Sequence, residues 1–125
     1  MKLRLRENSV RLRLLKSEIA QLDDRGFVSE TIRFAPDQRL DYELRIDEGI
    51  DSISASFDDG KISIRLPSDK ARSWLETNEV GLEDTQVTHE DMPLKLLIEK
   101  DFVCLTRPME GDNLDAFPNP EAEAC

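Results

Sequence analysis

Residues 53–66, ISASFDDGKISIRL, contain the clearest fold signal in the chain. Apolar and polar residues alternate from Ile53 to Phe57, and the alternation resumes from Ile62 to Leu66 after Asp58-Asp59-Gly60. A two-residue period is typical of a half-buried β-strand, and Asp-Gly readily adopts the positive φ angles of a tight hairpin turn. The stretch therefore predicts an antiparallel β-hairpin with one apolar face.

Further strands are predicted on both sides of this hairpin. Near the N-terminus, two alternating segments flank a turn at Asn8-Ser9 and predict another hairpin. A later pair is separated by Pro36, which fixes φ and lacks a backbone donor, so we expect it in a turn. Phe102–Leu105 either continues the last predicted strand, Leu94–Ile98, or forms a further strand that pairs with it. The flanking segments are Lys2–Arg6, Val10–Leu14, Phe27–Phe34, Leu40–Ile46 and Leu94–Ile98.

Two short helices are predicted between these strands. Ser17 is a suitable N-cap for the first helix, and Gly26 ends it in the left-handed conformation that glycine tolerates. Pro67 and Ser68 open the second helix, whose natural stop is Asn78. Together these elements predict an α+β fold, with a largely antiparallel curved sheet or partial barrel of about seven to eight strands and two short helices.

The chain also resembles itself at an offset of 52 residues. This shift places Asn8 on Gly60 and Leu22 on Trp74. Either residues 3–50 and 55–102 are two hairpin-helix-strand repeats, or two similar units fall into register by accident. A true duplication predicts two halves that pack around a pseudo-twofold axis.

Length and composition favour one ordinary globular domain. The 125 residues, 38% hydrophobic and 35% charged, predict a single domain over residues 1–106 and an acidic, Pro-rich tail over residues 107–125. The net charge of −10 argues against a globally cationic binder of nucleic acid or membrane. No apolar run is long enough for a secretory signal or a membrane span, and two cysteines are too few for a disulfide framework. We therefore expect a cytoplasmic protein with no membrane partner.

The N-terminal hairpin is locally basic, because residues 1–16 contain six lysines and arginines and one glutamate. Strand alternation places five of the cations on one face. This face either binds phosphates or a nucleic-acid groove, or is paired with acidic strand residues such as Asp41, Glu43 and Asp47. The five candidate anion or nucleic-acid contacts are Lys2, Arg4, Arg6, Arg11 and Arg13.

The tail contains one aromatic residue, Phe117, among acids and prolines. Such a composition is typical of an extended segment with one anchoring side chain. The segment is either offered to a protein partner or covers the core or sheet edge of its own domain. The candidate docking residues are Asp115, Phe117, Pro118 and Pro120.

No catalytic or metal-binding pattern is recognisable in the sequence. His89 is the single histidine, and Cys104 and Cys125 stand at no ligand spacing with it, so we expect no metal and no cofactor. No Gly-x-Ser-x-Gly elbow or phosphate-binding loop occurs. A cysteine among apolar neighbours, as at Cys104, is typical of an inert buried thiol. A non-enzymatic protein is favoured, and an enzyme of unrecognised type ranks third among the hypotheses.

Three separated motifs resemble a family of uncharacterised small bacterial proteins. They are MKLRLRENSVRLRL at residues 1–14 with Lys16-Ser17-Glu18, EKDFVCL at residues 99–105, and DAFPNP at residues 115–120. The resemblance covers essentially the whole chain and implies a bacterial origin without assigning an activity.

A second likeness involves residues 8–19, NSVRLRLLKSEI, which resemble the start of swapped-hairpin regulators and antitoxins of the AbrB type. In that family a Gly-Asn-Ser turn leads to a strand, then Pro-Lys and a short helix. Here Glu7 and Leu15 stand at the glycine and proline positions. The likeness implies DNA contacts by the arginines of the N-terminal hairpin. The leading hypothesis is nevertheless a non-enzymatic binding protein that uses the basic hairpin, the Phe117 tail or both.

Overall fold

The computed structural model describes residues 1–87 and 92–101. In this part, the chain passes through eight strands and two helices, and the order ββαββ occurs in each half. The elements are β1 (Lys2–Arg6), β2 (Ser9–Leu14), α1 (Lys16–Arg25), β3 (Phe27–Ala35), β4 (Gln38–Asp47), β5 (Ser54–Asp58), β6 (Lys61–Pro67), α2 (Ser68–Glu76), β7 (Gly81–Val87) and β8 (Pro93–Lys100).

The strands form two open four-stranded sheets, and the α+β class is confirmed. Sheet A has the order β1-β2-β8-β7, and sheet B has the order β3-β4-β6-β5. The central pairs β2/β8 and β4/β6 are parallel, whereas the other four pairs are antiparallel. The expected single curved sheet or partial barrel is therefore replaced by two mixed sheets. Alternation showed which face of each strand is buried but did not show which strands share a sheet.

Each sheet combines one hairpin from the first half of the chain with one from the second. Helix α1 connects β2 of sheet A to β3 of sheet B, and α2 connects β6 of sheet B to β7 of sheet A. Strands β1 and β5 are 52 residues apart, as are the first residues of α1 and α2. The two halves therefore have the same order of elements and a similar spacing between them along the sequence.

One core unites the apolar sides of both sheets with both helices. Leu12 and Ile98 of sheet A, and Leu44 and Ile64 of sheet B, are almost completely buried. Trp74 of α2 is fully buried, and its indole N–H donates to the carbonyl oxygen of Val80 at 3.2 Å. Burial of one such side chain contributes about 1.5–3 kcal/mol, so this shared core holds the two sheets together.

The turn at Asp59-Gly60 has the predicted position, whereas the turn of the first hairpin lies at Glu7-Asn8, one residue before the predicted Asn8-Ser9. Asp59 and Gly60 have φ angles of 50° and 75°, and Asp58 pairs with Lys61 across the two-residue turn. In the first hairpin, Glu7 has a φ of 51° between the paired Arg6 and Ser9. Both hairpins predicted from alternation are confirmed.

Helix α1 ends as predicted but begins differently. Gly26, with a φ of 83°, donates its N–H to the Leu22 carbonyl at 2.8 Å. At the other end, Leu15 occupies the N-cap, and its N–H donates to the Glu18 carboxylate at 2.8 Å. The predicted N-cap, Ser17, is wrong because this carboxylate satisfies the helix start two residues earlier.

The second helix ends before its predicted stop, and the strand after it was not predicted. Helix α2 ends at Glu76, with Thr77 as its C-cap, instead of reaching Asn78. Strand β7 follows, but only Leu82 within it is buried. A side chain at Gly81 would place its Cβ 2.7 Å from the Ile98 carbonyl oxygen, so close contact with β8 requires glycine here.

Candidate anion-binding surface

The five predicted cations lie on one surface of sheet A, which we call the basic face. The register pairs Lys2 with Arg13 and Arg4 with Arg11, while Arg6 lies opposite Ser9 at the turn. This arrangement follows from alternation, because the intervening residues of β2 point into the core and are buried. The basic face consists of Lys2, Arg4, Arg6, Arg11 and Arg13.

Two carboxylates neutralise one end of the basic face. Glu99, the partner of Arg13 in the register with β8, accepts from Arg11 Nε at 2.5 Å and lies 3.6 Å from Arg13 Nε. The Asp101 carboxylate lies 3.0 Å from Lys2 Nζ. The Lys2 hydrogen bond outweighs the small effect of desolvation and lowers the pKa of Asp101. Three cations at this end therefore share two acids.

Arg13 is incompletely satisfied within this network. Its Nε is buried and makes no hydrogen bond to any residue in the described part of the chain. A buried donor without a partner has a desolvation cost.

The alternative partners predicted for these cations are on the other sheet. Asp41 contacts Arg39 at 3.2 Å, and Asp47 contacts Arg65 at 3.0 Å. Glu43 contacts Arg45 and Lys61, as described below. Pairing of the basic face with Asp41, Glu43 and Asp47 is therefore wrong, because all three belong to β4 in sheet B.

At the turn between β1 and β2, the basic face borders a pocket of about 410 Å³ that we call the tip pocket. It is lined by residues 6–9 together with Met92, Pro93 and Lys95. The Asn8 side-chain amide donates to the Pro93 carbonyl at 2.7 Å, and Lys95 N–H donates to the Asn8 carbonyl at 3.1 Å. The pocket thus joins two cations, Arg6 and Lys95, and one acid, Glu7, to an apolar wall that includes Met92.

The polar side of sheet B contains a charged cluster around Glu43, which the sequence pattern singled out only as a possible partner of the basic face. Glu43 is only 3% exposed, and its carboxylate lies 2.6 Å from both Arg45 Nη2 and Lys61 Nζ. Burial alone raises the pKa of Glu43, but the hydrogen bonds from Lys61 and Arg45 outweigh it and lower the pKa. The cluster thus holds one buried carboxylate between two cations. Its position on the polar side of β4 was the only sequence signal for it.

Two further polar links join the sheets. The Met1 amino group is hydrogen-bonded to Glu18 and lies 3.1 Å from Glu30 Oε1, while the Tyr42 hydroxyl donates to Glu30 Oε2 at 2.6 Å. At the opposite edge, Gln86 of β7 is hydrogen-bonded to the backbone of Ala55 in β5. Each link joins residues from the two sheets, so both connect sheet A to sheet B.

Several predicted residues lie outside the described part of the chain. Among these are His89 and the docking candidates of the tail. Within residues 1–87 and 92–101, no group of three or more histidines, cysteines or acids could hold a metal ion. None of the described helices is long and apolar enough to cross a membrane. The predicted residues outside are His89, Cys104, Asp115, Phe117, Pro118, Pro120 and Cys125.

Comparison with known proteins gives one match. The model of a family of unknown function (DUF7009) matches residues 1–121. No curated protein and no solved structure matches the chain. The predicted membership of an uncharacterised family is confirmed, and these comparisons give no support to the AbrB likeness.

Proposed function

Because the chain belongs to DUF7009, a family of unknown function, we propose a function from its surface: a non-enzymatic interaction protein, cytoplasmic in location, whose basic face binds an acidic segment of a partner protein. The observation that carries this proposal is the register of β1 and β2, which gathers five cations on one side of a single hairpin. Charged side chains aligned in this way steer an oppositely charged partner to the surface.

An acidic protein segment fits this surface better than an extended polyanion. The four residue steps from Lys2 to Arg6 make the basic face only about 14 Å long. Glu99 and Asp101 limit it at one end, and the whole chain has a net charge of −10. A short segment can contact the cations alone, whereas a long polyanion would also approach acidic surface.

The test uses fluorescein-labelled hexaglutamate and fluorescence anisotropy. We expect the full chain to bind this probe at low salt and to release it as salt rises, because the contacts are between exposed charges. The double variant Arg4→Glu/Arg11→Glu should bind at least about tenfold more weakly, equivalent to about 1.4 kcal/mol. The matched control Arg33→Glu/Arg72→Glu changes two exposed arginines outside sheet A and should bind normally. Absence of binding at low salt, or equal losses in both variants, would overturn the proposal.

A second candidate function is binding to duplex DNA. It is favoured by one observation, the row of cations that β1 and β2 present on one face at the edge of sheet A. Cations arranged in this way can contact successive phosphates of a duplex backbone. A short duplex should then bind with a salt dependence that becomes less steep in Arg11→Ala/Arg13→Ala, because fewer counterions are released. Absence of duplex binding at low salt would remove this candidate.

We also propose that the two ββαββ halves arose by internal duplication and are related by a pseudo-twofold axis. The 52-residue spacing of β1 and β5 supports this proposal. So does the topology, because each sheet contains one hairpin from each half of the chain. An experimental structure tests it directly. Superposition of residues 2–47 on residues 54–100 should require a rotation near a half turn. A very different rotation would contradict the proposal.

A further inference from the structure

The tip pocket differs from the rest of the basic face because it combines cations with exposed apolar surface. Arg6 and Lys95 flank Ser9 in the strand register, so their charges lie in one row across β1, β2 and β8. Met92 also lines the pocket and is 54% exposed. A ligand that contacts both the cations and the apolar surface must carry an acidic group close to an apolar side chain.

The same chain contains a segment with this chemistry. Residues 107–125 have five acidic residues and one arginine, and Asp115 stands two positions from Phe117. The prolines around Phe117 favour an extended backbone that presents a carboxylate and an aromatic ring together. We infer that the acidic C-terminal segment, residues 107–125, binds in cis to the tip pocket, with Asp115 toward Arg6 and Lys95 and Phe117 toward Met92.

The topology brings this segment within reach. Asp101, the last described residue, donates its N–H to the Leu14 carbonyl at 2.8 Å and forms an ion pair with Lys2. It therefore lies beside the first residue of β1, whereas Arg6 is the last residue of that strand. From there, the tip pocket is roughly 15 Å away along the strands. Asp115 lies fourteen residue steps after Asp101, and fourteen steps of extended chain span about 46 Å. The segment can therefore run back along the basic face.

Covalent attachment strengthens this contact. A segment in the same chain as its binding surface has a high effective concentration, so contacts that are weak between separate molecules become populated within one chain. The tail then competes with any acidic partner for the basic face. This regulatory consequence rests on the proposed function, whereas the intramolecular contact is independent of it.

The test uses paramagnetic relaxation in the full-length chain. Cys104 and Cys125 are replaced by serine, and Asn119→Cys carries a nitroxide two residues from Phe117. We expect strong broadening of the amide signals of residues 6–9 and Lys95 at low salt, with recovery at high salt because the charges are screened. Amides on the polar side of sheet B, such as those of Arg33 and Arg45, should remain sharp.

Two controls test whether the contact is specific and intramolecular. Arg6→Glu/Lys95→Glu should abolish the broadening, whereas Arg33→Glu/Arg72→Glu should preserve it, with dispersed amide spectra showing that each variant is folded. In a mixture of nitroxide-labelled chain and separate isotope-labelled chain, broadening at the tip pocket should be absent. Broadening there in the mixture, broadening centred on another surface, or none in the labelled chain would each overturn the inference. Hexaglutamate binding is measured separately, so its failure would affect only the proposed function.

Discussion

The side-chain amide of Gln86 makes both hydrogen bonds that a neighbouring strand would make to Ala55. Its Nε2 donates to the Ala55 carbonyl at 3.0 Å, and its Oε1 accepts from the Ala55 N–H at 2.7 Å. Ala55 belongs to the edge of sheet B, and Gln86 belongs to the edge of sheet A. One side chain therefore connects the two sheets where their backbones are not paired.

We expect Gln86→Ala to lower the free energy of unfolding by about 1–3 kcal/mol, because two part-buried backbone groups lose their partners. Denaturant unfolding measures this loss. The matched control is Gln38→Ala, which truncates an exposed glutamine and should change stability by less than about 0.5 kcal/mol. Equal effects at the two positions would show that the link does not stabilise the sheets.

Tyr42 provides a spectroscopic test of the opposite edge. Burial and the hydrogen bond to Glu30 raise its pKa to about 12. Because Tyr42 is the single tyrosine of the chain, tyrosinate absorbance measures it without interference from another tyrosine. The absorbance midpoint should lie near pH 12 in the folded protein, and a midpoint near the ordinary value of 10 would contradict the contact.

The same shift predicts how stability depends on alkaline pH. A raised pKa means that the folded state holds the proton more tightly, so this contribution is complete below about pH 10 and is lost as pH rises toward 12. Tyr42→Phe should remove that part of the dependence. It should also cost about 1–2 kcal/mol at neutral pH, because the hydrogen bond that the hydroxyl donates to Glu30 is lost.

The ion pairs of Glu43 predict how the free energy of unfolding changes at acidic pH. Its pKa is lowered in the folded state, so the unfolded chain binds protons first and the stabilisation is present above the ordinary pKa of a glutamate. It is lost as pH falls from about 5 through the lower folded value. Glu43→Gln should therefore flatten the decline of unfolding free energy below pH 5, whereas Glu48→Gln, at an exposed position, should retain it. Parallel wild-type and Glu43→Gln profiles would contradict this assignment.

The close packing of Gly81 against β8 predicts that a larger residue at this position destabilises the fold. Gly81→Ala should destabilise the fold by about 1–3 kcal/mol, because the added Cβ would lie 2.7 Å from the Ile98 carbonyl oxygen and would separate β7 from β8. Thermal unfolding measures this effect. Gly49→Ala is the control, since its Cβ would meet Asp47 Oδ1 at 3.4 Å, an ordinary contact.

The strands that could be predicted are those with strict alternation. The hairpin around Gly60 follows from local sequence, because the period and the turn residues agree. In the first hairpin the period predicts both strands, but the turn lies one residue before its predicted position. Strand β7 lacks that pattern, since Leu82 is its only buried residue and its other contacts are made by polar groups such as Gln86. Its position depends on pairing with β8, which is a tertiary effect.

The sequence predicts that the cations of β1 and β2 share one face, but it does not predict which acidic residues pair with them. Alternation alone places Arg4 opposite Arg11 once the hairpin is known. The roles of Glu99 and Asp101 depend on the parallel pairing of β2 with β8. This pairing brings the side chain of Arg11 to Glu99, which is 88 positions away in the sequence. Local sequence contains no information about a contact of that length. The same limitation explains why acids of sheet B were expected beside the basic face.

Binding at the basic face can be mapped residue by residue in an NMR titration of the full chain with hexaglutamate. We expect salt-reversible shifts centred on the amides of β1 and β2, with the largest changes around Arg4, Arg6 and Arg11, and little change on the polar side of sheet B. Shifts centred on Glu43, Arg45 and Lys61, or no shifts at low salt, would contradict the assignment of the basic face as the binding surface.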